Sequence, residues 1–116
     1  MEYANVNSWK TKSMPPEQAH FALNRTLTAH AWEILQQGHI PEDMDDRWFF
    51  YTERDKVYFH RSWTGNCIFI IQIETQADGT KVLTDVTVNQ NKKEYTETDL
   101  AKSKELLQNI LNGRLC

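Results

Sequence analysis

The sequence predicts an α+β fold: a helix, a four-stranded antiparallel meander and a second helix (α-β-β-β-β-α), packed as a two-layer sandwich. Three observations carry this. Leu23, Leu27, Ala31, Ile34 and Leu35 recur at helical spacing between Pro15-Pro16 and Gly38. After residue 46 the period changes to runs of aromatic and β-branched residues broken by turn residues. Leu100, Leu107, Ile110 and Leu111 then form a second helical stripe.

Taken in order, residues 1–14 show no periodicity and read as an N-terminal arm, with Tyr3, Val6 and Trp9 able to dock on a surface. Pro15-Pro16 suits the first turn of a helix, Gly38 suits its left-handed end, and Pro41 forbids continuation, which places helix 1 at about 16–37. An acidic connector, Glu42 to Asp46, precedes strands at about 47–54, 57–63, 67–75 and 80–89. The turns between them are Asp55-Lys56, Thr64-Gly65-Asn66 and Asp78-Gly79. Thr96 or Thr98 can cap helix 2, Asp99 favours its first turn, and Gly113 stops it. The whole of 1–116 reads as a single α+β domain.

These turn lengths set a register. Ile73 would pair with Thr84, Ile71 with Val86 and Phe69 with Val88; Arg61 with Phe69 and Phe59 with Ile71; Phe50 with Arg61 and Trp48 with Trp63. One face then carries Trp48, Phe50, Val57, Phe59, Trp63, Phe69, Ile71, Ile73, Val82, Val86 and Val88, the core face beneath the helices. The other carries Phe49, Tyr51, Tyr58, His60, Ser62, Ile68, Ile70, Gln72, Leu83 and Asp85. A water-facing sheet surface is usually polar, and this one is aromatic at its centre. Something should cover it: a second copy, a partner, a ligand or the N-terminal arm.

Composition excludes several classes. The chain has 116 residues and a formal net charge of -3, which argues against a phosphate-backbone binder, and Lys92-Lys93 is too short a basic run to change that. The apolar run Cys67 to Ile73 is too short to span a bilayer. Met1 to Asn5 lacks a basic start or hydrophobic segment, so no secretory signal is expected. Two cysteines without a Cys-x-x-Cys motif suit a reducing cytoplasm. His20, His30, His39 and His60 are scattered without ligand spacing, so neither metal nor cofactor is expected; His30 reads as a core histidine. The connector at 42–46 lacks the glycine and terminal glutamate of a calcium loop and reads as a solvated turn. No Gly-rich phosphate loop occurs.

The densest chemistry lies in Tyr58-Phe59-His60-Arg61-Ser62-Trp63-Thr64-Gly65. Arg61 falls on the core side, where a guanidinium must be paired or reach outward; an ion pair with Glu33 or stacking on Trp63 would serve, and recognition of a phosphate or carboxylate is the functional alternative. His60 could act as a general base, with Ser62 and Asp85 on the same face. That set lacks a strained nucleophile turn and an oxyanion loop, so no catalytic residue is assigned. The binding candidates are Tyr51, Tyr58, His60, Arg61, Ser62 and Trp63.

Arg47-Trp48-Phe49-Phe50-Tyr51, followed by Val57 to Ile68 with its core His60-Arg61-Ser62-Trp63-Thr64-Gly65, resembles a small uncharacterised bacterial family. Its members carry a Trp-Phe segment and then Tyr-x-His-Arg-Ser-Trp-Thr-Gly, as stand-alone proteins or beside ADP-ribosyl-hydrolase-like domains. The resemblance covers mainly 47–73 and implies a connection to ADP-ribose or NAD metabolism, without any catalytic assignment. The chain departs from it at Arg47, where the family has Lys, and has no recognisable hydrolase domain. The expected function is a non-enzymatic binding or oligomerisation domain, a homodimer or a partner-binding module, using the aromatic sheet face. The alternative is a small protein or enzyme binding ADP-ribose-type or NAD-type nucleotides through His60, Arg61 and Ser62. A third reading makes the segment a folding device.

Overall fold

A computed structural model describes residues 3–43 and 45–115. It is α+β, with an antiparallel sheet and two helices, and the sheet has five strands rather than four. The elements are β1 (Gln18–Thr26), α1 (Ala29–Gln37), β2 (Trp48–Glu53), β3 (Lys56–Arg61), β4 (Cys67–Thr75), β5 (Lys81–Asn89) and α2 (Leu100–Leu115). The sheet order is β1-β5-β4-β3-β2, so the first strand lies beside the last.

The extra strand corrects the long first helix. Ala19, Phe21, Leu23 and Arg25 turn inward while His20, Ala22, Asn24 and Thr26 are exposed, which is the period of a strand. Leu23 and Leu27 are both buried, so their spacing of four also fitted a helix. Asn24, at φ 51, marks the break in register between Ala22 and Arg25. The helix starts only after Thr28, whose Oγ1 accepts the Ala31 N–H at 3.0 Å. Gly38 ends it at φ 71, donating its N–H to Ile34 O. His30 is exposed on this short helix and is not a core histidine.

The meander keeps its faces but not its expected pairing. Its first turn closes at Arg54-Asp55, one residue early, with Arg54 at φ 58. Phe50 therefore faces Phe59, and Trp48 faces Arg61; a shift of two preserves side-chain parity. Across the second turn Phe59 faces Phe69 and Val57 faces Ile71, again two residues from the expected register. Phe69–Val88 and Ile71–Val86 pair as expected, but Ile73 faces Leu83 because the register slips between them. That slip puts Leu83 into the core in place of Val82. A second irregularity at Cys67–Ile68 does the same for Ile68. Trp63 lies beyond the end of β3 and is 64% exposed, not under the helices.

The main core lies between the sheet and the two helices: Trp48, Phe50, Val57, Phe59, Phe69, Ile71, Val86 and Val88 meet Leu35, Leu107 and Leu111. Asp99 caps α2, accepting from the N–H groups of Ala101 and Lys102, so neither Thr96 nor Thr98 is the cap. Gly113 does not stop α2, which runs through it to Leu115. At that end Arg114 Nη2 lies 3.1 Å from Asp46 Oδ1, and His39 Nε2 lies 2.5 Å from Asp46 Oδ2. The acidic connector is thereby tied to helix and sheet rather than merely solvated. Burial pushes the Asp46 pKa up; the hydrogen bonds from His39 and the Glu42 N–H, with the charges of His39 and Arg114, outweigh this and hold it below the usual value.

The N-terminal arm covers the opposite sheet face. Ala4 N donates to Gln37 O at 2.8 Å, and Ala4 packs with Phe49, Tyr51, Trp9 and Tyr58 in a second apolar cluster. Phe49, Tyr51 and His60 are each at most 4% exposed. Tyr3 and Val6 remain 48% and 40% exposed, so of the three residues expected to dock it is Trp9 that does.

Candidate functional site

The site grows out of the turn after β3. Gly65, at φ 81, donates its N–H to Arg61 O at 2.8 Å, and Arg61 donates to Asn66 O at 2.9 Å. Ser62 N donates to Arg47 O at 2.9 Å, fixing the turn beside the start of β2. Two carbonyls of the same turn hold the arm. Ser62 O accepts the Trp9 indole N–H at 2.7 Å, and Gly65 O accepts the Lys12 N–H at 2.8 Å. The backbone of the His60–Gly65 segment is thus a clasp on the arm; the folding-device reading has Arg61 and Trp63 locking the sheet to the helices, and Trp63 is instead 64% exposed.

Its side chains part to opposite sides. His60 is 2% exposed and stacks on Tyr51 at 5.8 Å between ring centroids, with Tyr51 stacked on Tyr58 at 5.0 Å. His60 Nδ1 lies 2.9 Å from Gly65 O, which can only accept, so Nδ1 carries the proton and Nε2 is an acceptor. Burial lowers the imidazole pKa, opposed by the hydrogen bond to Gly65. Among the described residues Nε2 has no hydrogen-bond partner. His60, Tyr51, Tyr58, Cys67 and Ile70 form one wall of a cavity of about 230 Å³ whose other wall is the arm.

Arg61 goes the other way. Its guanidinium carbon sits 4.4 Å from the centroid of the Trp48 ring, a cation–π contact rather than the expected stacking on Trp63. Glu33 is not its partner: among the described residues no carboxylate pairs with Arg61. Burial lowers its pKa, the nearby Tyr95 opposes this, and the Arg47 charge adds to it. Asp45, Arg47, Arg61, Ser62, Trp63, Thr64 and Glu94 line a cleft of about 450 Å³. Glu94 is itself held, accepting from Asn89 Nδ2 at 3.1 Å. The Ser62 hydroxyl is buried, without a hydrogen-bond partner among the described residues.

The six sequence candidates therefore separate into two sites: Tyr51, Tyr58 and His60 under the arm; Arg61, Ser62 and Trp63 in the open cleft. Ser62, His60 and Asp85 do not assemble. His60 Nδ1 is bonded to a backbone carbonyl, the Ser62 hydroxyl is unbonded, and Asp85 is exposed on β5 opposite Ala22. Sequence reasoning did not single out Arg47 and Glu94, which come from opposite ends of the meander. Only the place of Arg47 beside Trp48 hinted that it would share the end of β3. Among the described residues no group of three or more His, Cys, Asp or Glu is placed to hold a metal ion, and no helix is long and apolar enough to cross a membrane.

Compared with protein-family models, curated proteins and solved structures, the chain matches none significantly.

Proposed function

We propose that this chain is a non-enzymatic binding protein whose ligand carries a phosphate or carboxylate and enters the cleft at Arg47, Arg61 and Trp63. The observation that carries this is Arg61: a half-buried guanidinium with no carboxylate partner among the described residues, beside a second arginine. A planar fork drawn partly out of water beside a like charge favours an anion. The exposed indole of Trp63 supplies a stacking surface for the rest of the ligand, and Thr64 lines the cleft beside it. Asp45 and Glu94, which line the same cleft, favour a ligand that also bears hydrogen-bond donors, as a nucleotide does. The ADP-ribose class implied by the resemblance fits that description and is the first to test.

The aromatic sheet face is the weaker surface for a partner or a second copy, since the arm already occupies its Phe49–Tyr51–His60 part. A reducing cytoplasm is the proposed compartment, supported by the buried free thiol of Cys67.

Isothermal titration of the full chain with inorganic phosphate, AMP and ADP-ribose at low ionic strength tests the reading. Binding at or below about 1 mM, weakened at least about tenfold in Arg61→Gln and in Arg47→Gln, is expected. Failure of the whole panel to bind, or equal binding by both variants, refutes it. Unchanged urea midpoints in the variants would assign any loss to the cleft rather than to the fold.

A further inference from the structure

The anion cleft is one of two that meet at Trp63. Trp9, Lys10, Pro41, Glu42 and Asp43 line a neighbouring cleft of about 450 Å³, and Ser62 and Trp63 belong to both. The clefts therefore adjoin across these two turn residues. Trp9 is fastened to the turn, since its indole N–H donates to Ser62 O at 2.7 Å. Trp63 is largely exposed between them. The two spaces differ in chemistry. Trp9, Pro41 and Trp63 give the neighbour a mainly apolar lining, and its charges are one cation, Lys10, against two carboxylates, Glu42 and Asp43. The anion cleft sets Arg47 and Arg61 against Asp45 and Glu94, and Asn89 already donates to Glu94. A phosphate or carboxylate is therefore favoured beside the arginines, and a flat uncharged group beside Trp9. Arg61 and Glu94 also border a third cleft beside Tyr95, but that phenol is 5% exposed and lies 3.0 Å from the Ser103 hydroxyl, so it offers no open ring.

We infer that the ligand is two-headed: its anionic group lies with Arg47 and Arg61, and an uncharged aromatic ring joined to it reaches past Trp63 into the cleft lined by Trp9. This rests on the anion reading above and adds the class of molecule, a nucleoside phosphate rather than a free phosphate or a sugar phosphate. Each cleft has the ordinary size of a small-molecule site, so a lone phosphate leaves the neighbour unused. Bases stack on aromatic side chains through a face that all of them share, so the apolar cleft reads the ring without needing a hydrogen-bond code. Glu42 and Asp43 disfavour a second anion at the ring end, which fixes the direction in which the ligand lies. The bond from Trp9 to Ser62 O holds the arm side of the ring cleft in place before anything binds, so little ordering remains for the ligand to impose.

Inorganic phosphate, ribose phosphate and AMP separate the two heads, since AMP differs from ribose phosphate by its adenine ring. Each is titrated into the full chain at low ionic strength, by calorimetry and by following the indole N–H resonances of Trp9 and Trp63. AMP should bind at least about tenfold more tightly than ribose phosphate, the gain from one stacked base. It should move both indole resonances, whereas ribose phosphate should leave that of Trp9 in place. Arg61→Gln should weaken AMP and ribose phosphate by the same factor, within about twofold, because the ring end is untouched. AMP binding no tighter than ribose phosphate, or an unmoved Trp9 resonance at AMP saturation, overturns the two-headed ligand; Arg61-dependent binding of both compounds would then leave the anion reading standing. If none of the three binds, the anion reading fails and this inference fails with it. The comparison of AMP with ribose phosphate is made on the wild-type chain, so it decides the matter even if Arg61→Gln does not fold.

Discussion

Replacing Gly65 by alanine should loosen the clasp between the arm and the sheet, and Gly79 provides the internal control. Both glycines have positive φ, 81° and 88°. In that region a Cβ costs about 1–2 kcal/mol, while alanine returns about 0.4–1 kcal/mol by restricting the unfolded chain. At Gly79 a Cβ would meet nothing within 4 Å, so Gly79→Ala should cost about 1 kcal/mol. At Gly65 it would stand 3.0 Å from Lys10 O and 3.2 Å from the Lys10 carbonyl carbon, and the arm backbone must move. Overpacking of that kind costs about 1–2 kcal/mol more, for a total of about 2–3 kcal/mol. In Tm this is about 10 °C for Gly65→Ala against about 4 °C for Gly79→Ala. Urea unfolding followed by tryptophan fluorescence measures the difference, and hydrogen exchange at the Lys12 amide locates it. If the two variants lose equal stability within about 0.5 kcal/mol, or if Lys12 keeps its protection in Gly65→Ala, the close approach of arm and turn does not govern this region.

Three further outcomes follow from the ionisable groups. Asp46 has a folded pKa below its unfolded value of 3.8, so its contribution is present above that value and lost as pH falls through the lower folded one; Asp46→Asn should be less stable at pH 7 by urea titration, with the gap from the parent closing under strong acid. His60 also has a lowered folded pKa, so the unfolded chain takes the proton first, and stability should fall as pH drops below the unfolded value of 6.5. His60→Gln should flatten that part of the stability–pH curve, and an unchanged slope would place the titration elsewhere. Burial pushes the Cys67 thiol up to about 12, so iodoacetamide at pH 8 should leave Cys67 unlabelled in native protein and label it in urea, as read by peptide mapping.

Much of the fold was legible because parity survives error. Two hairpins closed two residues away from the expected register, yet Phe50, Phe59 and Phe69 still share a face, since a shift of two leaves every side chain on its side. What parity cannot survive is an inserted residue: the irregularities at Ile68 and near Leu83 moved both from the outer face to the core. β1 was hidden for another reason. Ala22 supplies an apolar residue at an outward position, and Leu23 with Leu27 mimics one turn of helix, so two periods fitted the same letters. At the site, the segment was found but not its division, because Arg61 and His60 are neighbours in sequence and lie in different cavities. That Trp63 lies outside the sheet depends on β3 ending at Arg61, and strand ends are the least determined feature of a sequence. The arm's hydrogen bonds to Ser62 and Gly65 come from backbone carbonyls, which carry no mark in the residue letters.

The placement of β1 beside β5 has a consequence for biosynthesis. Gln18 pairs with Asn89, so the first strand leaves the ribosome roughly seventy residues before its partner, a wait of about 4–14 s at ordinary elongation rates. Throughout that interval Phe21 and Leu23 have no sheet to join, and a nascent chain stalled before β5 should expose them to chaperones.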